Sequence, residues 1–136
     1  KLILDQKPNE QPREFQMTSI GELELKGLHL KIDEVSNQQL DLHLAEVEYF
    51  DADKLSFPLE FRLWKTGDRM NPLGMKGEKK ISDILIDEKV DRFSKEQQLV
   101  MLSNSEVAWL LGRRGSEKFK VDPNTQKVIR IQWSKP

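Results

Sequence analysis

Basic side chains and glycines are concentrated in the segment 61–80, where they could bind the phosphates of a polyanion. Guanidinium groups hold phosphate oxygens through two parallel hydrogen bonds, and ammonium groups bind them as point charges. Glycines let a backbone approach a ligand closely and expose its N–H donors. Because only Asp68 and Glu78 oppose six cations here, the segment is a candidate binding site for a polyanion such as a nucleic acid. The cations are Arg62, Lys65, Arg69, Lys76, Lys79 and Lys80, and the glycines are Gly67, Gly74 and Gly77.

A second basic group lies nearer the C-terminus. Arg113 and Arg114 stand between two glycines, and Lys118 and Lys120 follow them. Both groups have a plain alternative, because charged loops are most often solvated surface without a ligand, and charge alone favours that alternative. The role of Trp64 also has two interpretations, since its ring could stack on a base or pack between strands as a core aromatic.

Other chemistries lack the residues they need. The chain has no cysteine, which excludes disulfides, thiolate nucleophiles and cysteine-based zinc sites. Its two histidines, His29 and His43, do not form a metal-binding motif. There is no G-x-S-x-G nucleophile elbow, and the glycines of 67–77 do not match the G-x-x-x-x-G-K-[ST] nucleotide loop. The sequence therefore predicts no catalytic residue and no metal site in this chain.

Composition fits one folded domain with an uneven charge distribution. Hydrophobic residues make up 37% and charged residues 33% of the 136 residues, and no apolar run is long enough to span a membrane. The segment 1–60 carries a formal charge of −7 and 61–136 carries +6, so an anionic partner is expected for the second part, or internal pairing of the two parts. The absence of cysteine fits the expected cytoplasmic location, and nothing at the N-terminus resembles a secretory signal. Because the sequence has no initiator methionine, we expect a longer parent protein.

Short runs of alternating polarity predict a mainly β domain around the basic segments. In 59–64, Leu59, Phe61 and Leu63 share one face, while Trp64 lies on the other. Residues 1–19 show no sustained period and are expected to be a linker that leads into the domain, or an edge segment. The domain itself is expected at 20–136. Its predicted strands lie within 20–32, 40–44 with a possible extension at 47–50, 59–64, 98–102, 107–111, 118–121 and 128–133.

One short helix is expected at 81–88, because Ile81, Ile84 and Leu85 have helical spacing. A further helical turn is expected at 94–97, where Ser94 and Gln97 resemble a capping box. Residues 65–80 are expected to form a long loop. This pattern of short strands with one helix favours an α+β domain that is mainly a β-sandwich or barrel.

The segment 61–90 resembles the C-terminal domain of tRNA(Ile)-lysidine synthetases. The likeness continues through 106–121, is most specific over 61–133 and is looser over 20–60. The family pattern R-x-x-x-x-G-D-R followed by P-x-G-M-x-G-x-K-K falls on Arg62, Gly67, Asp68, Arg69, Pro72, Gly74, Met75, Gly77, Lys79 and Lys80.

The resemblance implies a β-sandwich of unusual topology, related to a domain of the phenylalanyl-tRNA synthetase β chain. It also implies a parent ligase that uses ATP, with magnesium, to attach lysine to the wobble cytidine of tRNA(Ile). In that family the chemistry belongs to an N-terminal domain with an S-G-G-x-D-S pyrophosphate loop, which these 136 residues lack. This chain is therefore expected to bind the acceptor-stem side of the tRNA, with no cofactor of its own.

The expected partners are tRNA(Ile) and the N-terminal catalytic domain of the same protein, with no membrane. The alternative is a β-sandwich protein-interaction module that docks onto another domain of its own chain. The expected RNA-binding residues are Arg62, Lys65, Arg69, Lys76, Lys79, Lys80, Arg113 and Arg114, with Gly67, Gly74 and Gly77 allowing close backbone approach.

Overall fold

The computed structural model describes residues 2–3, 15–25, 27–41 and 46–134. The strands in these residues form two five-stranded sheets and a two-stranded ribbon. Two α-helices lie in the same part, α1 (Ile81–Asp87) and α2 (Arg92–Glu96), together with 3₁₀ turns at Asn37–Gln39 and Glu117–Phe119. The strands in chain order are β1 (Leu2–Ile3), β2 (Phe15–Met17), β3 (Gly21–Leu25), β4 (Leu28–Ser36), β5 (Val47–Asp51), β6 (Leu59–Leu63), β7 (Arg69–Met70), β8 (Lys79–Lys80), β9 (Leu99–Ser103), β10 (Glu106–Leu110), β11 (Arg114–Gly115) and β12 (Lys127–Ser134).

The two large sheets combine strands that are distant in sequence. The first has the order β1-β3-β4-β12-β5, and the second has the order β11-β10-β9-β6-β2. Neighbouring strands are antiparallel, except that β1 runs parallel to β3. The last strand, β12, lies between β4 and β5, so the end of the chain completes a sheet begun by its first part. The mainly β sandwich that the sequence predicts is confirmed.

The main hydrophobic core lies between the two large sheets, because alternate residues of each strand point toward the facing sheet. Leu23 and Ile131 of the first sheet and Phe61 and Trp109 of the second are fully buried in it. The ring of Trp109 meets that of Phe50 edge-on, with 6.1 Å between the ring centroids. Aromatic contacts of this geometry add to the stability that apolar burial provides.

A second hydrophobic cluster lies on the outer face of the second sheet, where α1 covers it. Ile81, Ile84 and Leu85 of α1 are buried against apolar side chains of β9 and β10. Their spacing of three and four residues places them on one side of the helix, so the helix predicted at 81–88 is confirmed. The ribbon of β7 and β8 leads directly into α1, and this outer layer therefore positions the basic segment.

The strand predicted at 118–121 is wrong. Residues Glu117–Phe119 form a 3₁₀ turn, and the Ser116 hydroxyl caps it by accepting a hydrogen bond from Lys118 N–H at 3.2 Å. Phe119 is buried in the main core. A single buried aromatic side chain, rather than a run of alternating burial, therefore explains the apolar signal there.

The helical turn predicted at 94–97 begins earlier in the structure. Helix α2 starts at Arg92 because the Asp91 carboxylate caps it and accepts a hydrogen bond from Ser94 N–H at 2.8 Å. A carboxylate is favoured at a helix N-terminus, so Asp91 takes the capping place expected of Ser94. The predicted loop 65–80 also needs correction, since it contains the two short strands β7 and β8.

Two sequence predictions fall partly outside the described residues. Within 1–19, β1 and β2 are edge strands of the two large sheets, and residues 4–14 lie outside the description. For the strand predicted at 40–44, the first two residues are not in a strand, and 42–45 lie outside. Neither α-helix of the described ranges has the length and apolar character needed to cross a bilayer.

Candidate nucleic-acid interface

An ion pair between Arg62 and Asp68 fixes the base of residues 65–80, called here the basic loop. The Arg62 guanidinium donates to both Asp68 carboxylate oxygens, Nη1 at 2.8 Å and Nη2 at 3.1 Å, and the arginine side chain is 11% exposed. Asp68 also accepts from Lys65 N–H at 2.7 Å, and its carbonyl accepts from Ile81 N–H at 3.0 Å. Arg62 therefore holds the loop in place from inside the protein.

Hydrogen bonds keep two carboxylates of the interface ionised. Burial on its own would raise the pKa of Asp68, but the hydrogen bonds and positive charges of Arg62 and Lys65 outweigh burial and hold the pKa below 3.8. Hydrogen bonds from Lys120 and from Gly74 N–H lower the pKa of Glu117 in the same way. Both groups are charged at neutral pH, so both retain their partners there.

Internal hydrogen bonds fix the shape of residues 71–77, the tip of the basic loop. The hydrogen-bonding pattern assigns the Asn71 side-chain nitrogen as donor to the carbonyls of Met75 and Gly77, at 3.0 and 2.9 Å. Met75 N–H also donates to the Pro72 carbonyl at 3.0 Å. The tip is therefore a closed turn with a defined backbone path.

Gly74 and Gly77 adopt backbone conformations that favour glycine, with φ of +84° and +80°. A Cβ at either position would meet no atom within 4 Å, so the backbone angle rather than crowding explains the glycine. Gly67, at the base of the loop, has a φ of +96°. Gly74 N–H donates to Glu117 Oε1 at 2.7 Å, so this donor, expected to be accessible, is already paired within the protein.

Residues 112–115, called here the Gly-Arg turn, lie beside the tip of the basic loop. Leu73 N–H donates to the Gly115 carbonyl at 3.0 Å, and Arg114 Nη1 donates to the Leu73 carbonyl at 3.1 Å. An isolated β-bridge next to these bonds continues the contact. The structure thus brings together two basic groups that are far apart in sequence.

Arg113 and Arg114 both extend toward the end of α1. Glu88 Oε2 accepts from Arg114 Nε at 3.3 Å, and Glu88 Oε1 lies 4.0 Å from Arg113 Nη1. Arg113 Nε also donates to the Gln98 side chain at 2.8 Å. Two guanidinium groups share one carboxylate here, so the turn keeps a net positive charge while its side chains are held in place.

The other cations of the interface divide into paired and unpaired groups. Arg69, Lys76 and Lys80 are exposed, and none of them forms an ion pair with a described residue. Lys65 is exposed but is not one of these unpaired cations, and Asp68 accepts a hydrogen bond from its backbone N–H. The ion-paired cations are Lys79 with Asp87, Lys118 with Glu106 at 3.3 Å, and Lys120 with Glu117 at 2.7 Å.

Trp64 is part of the protein's own packing. Its ring lies with Val90 against the second hydrophobic cluster, and its Nε1 donates to the Lys95 carbonyl at 2.7 Å. The Lys95 ammonium nitrogen lies 5.9 Å from the ring centroid, within the range of a cation–π contact. Of the two interpretations of Trp64, packing is confirmed.

Three polar residues that the sequence did not single out organise this surface. Asn71 shapes the loop tip, Glu88 holds both arginines of the turn, and Glu117 binds Gly74 N–H. The sequence indicates these residues only by their positions, because all three lie in the stretches that carry the family resemblance. Among the residues described, no group of three or more His, Cys, Asp or Glu side chains could hold a metal ion.

The β-sandwich topology described above is shared with solved structures. The crystal structure of a TILS C-terminal domain matches with a TM-score of 0.75 and 20% identity, over 90% of this chain and 98% of that one. An N-terminal fragment of the phenylalanyl-tRNA synthetase β-subunit from Pyrococcus horikoshii matches with a TM-score of 0.53 and 20% identity, over 65% and 28%. The fold class is therefore the β-sandwich that these two domains have in common.

The chain belongs to the TilS substrate C-terminal domain family, whose sequence model matches residues 59–133. It is 36% identical over 115 residues to the tRNA(Ile)-lysidine synthase of Parabacteroides distasonis, covering 79% of this chain and 26% of that protein. It is 44% identical over 86 residues to the tRNA(Ile)-lysidine synthase of Clostridium tetani, covering 63% and 18%. The chain thus spans about a quarter or less of these relatives, and the matched residues include the basic loop and the Gly-Arg turn.

Proposed function

We propose that this chain is the C-terminal domain of a tRNA(Ile)-lysidine synthase and that it binds the acceptor-stem side of tRNA(Ile). The proposed binding face consists of the basic loop and the Gly-Arg turn. The observation that carries the proposal is their contact, in which Leu73 bonds to Gly115 and to Arg114. Two distant basic groups thereby form one surface, and a continuous basic surface suits successive phosphates of an RNA backbone.

The fixed geometry of this face supports the same proposal. Bonds from Asn71 and to Glu117 order the loop tip without a ligand, so binding would cost less conformational entropy than the ordering of a mobile loop. Arg69, Lys76 and Lys80 lack ion pairs within the described ranges, and the Gly-Arg turn adds one surplus positive charge. Neutralising phosphates with these groups would release counterions from the RNA.

The parent protein is proposed to be a cytoplasmic, ATP-dependent ligase that modifies tRNA by attaching lysine to the wobble cytidine of tRNA(Ile). ATP and magnesium would bind to a separate N-terminal catalytic domain, which is the second proposed partner. This chain covers only 26% and 18% of the two relatives from Parabacteroides distasonis and Clostridium tetani, so each of them is long enough to contain such a domain. This chain would contribute tRNA binding, without a catalytic residue, cofactor or metal of its own.

The non-catalytic role can be measured. The chain mixed with tRNA(Ile), lysine, ATP and magnesium should cleave no more ATP than a buffer blank, because the phosphate-binding loop of the reaction is proposed to lie in another domain. Lysine-dependent ATP cleavage well above the blank would contradict this role.

Removing charge from each segment separately tests the binding face. Lys76→Gln in the basic loop and the double change Arg113→Gln/Arg114→Gln in the turn should each weaken binding of a tRNA(Ile) transcript, by about tenfold per lost phosphate contact. Lys31→Gln is the matched control, because Lys31 is exposed on β4 in the other sheet. Thermal denaturation checks that each variant folds. Wild-type affinity in both test variants would contradict the proposed face.

One observation favours the alternative of a protein-interaction module that docks onto another domain of the parent chain. Ile86 of α1 and Phe93 of α2 are large apolar side chains with exposed fractions of 61% and 73%. Exposed apolar side chains of this size are common in contacts between protein domains. The two functions differ in their response to salt, which affects RNA binding strongly and a packed protein interface little.

A further inference from the structure

Arg69 and Lys80 are directly opposite each other in the β7–β8 ribbon. Side chains in such a pair stand on the same face of the ribbon, with Cβ atoms about 4.5–5.5 Å apart, and two like charges placed there destabilise the pair. Both residues are exposed, and within the described ranges neither has an ion pair. The ribbon thus keeps two positive charges together without an acidic side chain between them.

The backbone around this pair is firmly held. Asp68, which precedes Arg69, is fixed by Arg62 and by the bond from Ile81 N–H to the Asp68 carbonyl at 3.0 Å. Met70, which follows, is buried in the second hydrophobic cluster. The two cations therefore cannot separate by a shift of the strands, and their closeness is a fixed feature of the loop.

A polar cavity of about 270 Å³ lies beside Arg69, between the basic loop and the turn that joins β9 to β10. Arg69 lines it, together with the acidic residues Asp68, Glu78 and Glu106. Asp68 is bound by Arg62 and Glu106 by Lys118, so Glu78 is the acidic lining residue without an ion pair in the described part of the chain. Lys80 does not line this cavity but is opposite Arg69 in the ribbon. Arg69 and Lys80 together exceed the charge of Glu78 by one, which one phosphodiester would neutralise.

We propose that Arg69 and Lys80 form a clamp that holds a single phosphodiester group of bound RNA. The inference rests on the proposed function and specifies which phosphate contact the loop makes. The planar guanidinium of Arg69 suits two non-bridging phosphate oxygens, and the Lys80 ammonium supplies a further charged donor. A phosphate between them replaces the repulsion of two like charges with two attractions.

A double-mutant cycle tests the clamp. Affinity for a tRNA(Ile) transcript is measured by filter binding over a series of salt concentrations for wild type, Arg69→Gln, Lys80→Gln and the double variant. Each single change should weaken binding about tenfold, and the double change should weaken it by less than the product of the two, because both side chains hold the same phosphate. The salt slope of the double variant should fall by about one unit, the value for one phosphate.

Thermal denaturation without RNA gives a second readout. Each single variant should melt about 1–3 °C above wild type at low salt, because one of two opposed like charges is removed. Lys127→Gln is the matched control, since Lys127 is exposed at the start of β12 in the other sheet and should change neither quantity.

The possible outcomes separate the clamp from the proposed function. Wild-type tRNA binding that is retained in the double variant overturns the clamp and leaves the proposed function intact. Effects that multiply, with a salt slope reduced by about two units, mean that the cations hold two different phosphates and also overturn it. A folded wild-type chain that binds no tRNA overturns the proposed function together with the clamp.

Discussion

Asp68 joins three parts of the basic loop at a single residue. Its carboxylate accepts hydrogen bonds from Arg62 and from Lys65 N–H, and its carbonyl accepts from Ile81 N–H at the start of α1. The Arg62 side chain is 11% exposed, and without this carboxylate it would lose the ion pair with Asp68. Removing one member of a largely buried ion pair is strongly destabilising, so the loop depends on Asp68.

Asp68→Asn should lower the free energy of unfolding by about 2–4 kcal/mol at pH 7. Because the folded pKa lies below the unfolded value of 3.8, the stabilisation is fully present above pH 3.8 and is lost as the pH falls through the folded pKa. The difference in the free energy of unfolding between Asp68→Asn and wild type, measured by urea denaturation, should therefore be large at pH 7 and smaller at pH 3. Glu78→Gln, at an exposed carboxylate of the same loop, is the control and should change stability by less than about 0.5 kcal/mol. An Asp68→Asn chain as stable as wild type at pH 7 would contradict the anchoring role.

Glu48 gives a pH dependence of the opposite sign. Its carboxyl group lies on β5 so close to Gly115 that a Cβ there would be 3.0 Å from Glu48 Oε1, and burial raises its pKa from 4.5 to about 7. Glu48 and Gly115 line a cavity at which Asp41 and Lys120 are the other charged lining residues. Between pH 4.5 and 7 the folded chain holds a proton that the unfolded chain has released, so stability falls as the pH rises through this window.

Glu48→Gln should therefore raise the free energy of unfolding at pH 8, by on the order of 2 kcal/mol, and change it little at pH 5. The wild-type chain must ionise a largely buried carboxyl group at pH 8, and the amide avoids that cost. Thermal denaturation at the two pH values measures the difference. Glu34→Gln, at an exposed position of β4, controls for the change in net charge. An equal effect at both pH values would show that burial of the Glu48 charge is not the cause.

Residue type alone decides only part of the chemistry of this surface. Arg62 looks like any other cation of the segment, because the sequence does not tell which of Asp68 and Glu78 pairs with it. The environment of Trp64 depends on the Lys95 carbonyl in α2, which is remote in sequence. Contacts of this kind are set by the fold. The sequence therefore left the role of Trp64 open, and its prediction that Arg62 binds RNA did not anticipate the ion pair with Asp68.

At the scale of elements, Gly74 sets the shape of the loop tip with its φ of +84°. Gly74→Val should weaken RNA binding about tenfold while the melting temperature falls by only a few degrees, because the strained residue lies outside both hydrophobic clusters. Gly27→Val is the matched control, since Gly27 has a φ of +74°, equally open surroundings and a place in the turn between β3 and β4. It should lose similar stability and bind RNA like wild type. A sharp fall in melting temperature with unchanged affinity per folded molecule would make Gly74 purely structural.

Strands with strict alternation were predictable because burial with a period of two has one structural explanation. The runs at 59–64 and 128–133 correspond closely to β6 and β12. The contact of Leu73 with Gly115 was not predictable, since backbone hydrogen bonds between distant segments leave no pattern in the side chains. The strand predicted at 118–121 was wrong for another reason. The Ser116 side chain caps a 3₁₀ turn there, and the pattern of polar and apolar residues does not reveal such a cap.

For the whole molecule, the fold interleaves the acidic and the basic parts of the chain. Strand β12 comes from the basic part but lies in the first sheet, between β4 and β5. There Arg130 donates to both carboxylate oxygens of Asp33, at 3.0 and 2.7 Å. Internal pairing of the two parts is therefore confirmed at this sheet, whereas the surface of the basic loop retains cations without ion pairs among the described residues.

The dependence of tRNA(Ile) affinity on salt concentration tests the proposed binding face most directly. Filter binding of the wild-type chain should give a log Kd that rises linearly with the log of salt concentration, with a slope of about 0.7–0.9 per phosphate and about 2 or more in total. Such a slope is expected because the clamp, Lys76 and the Gly-Arg turn would each neutralise at least one phosphate. A slope near zero, or no binding by the folded chain at low salt, would contradict a tRNA-binding role for this face.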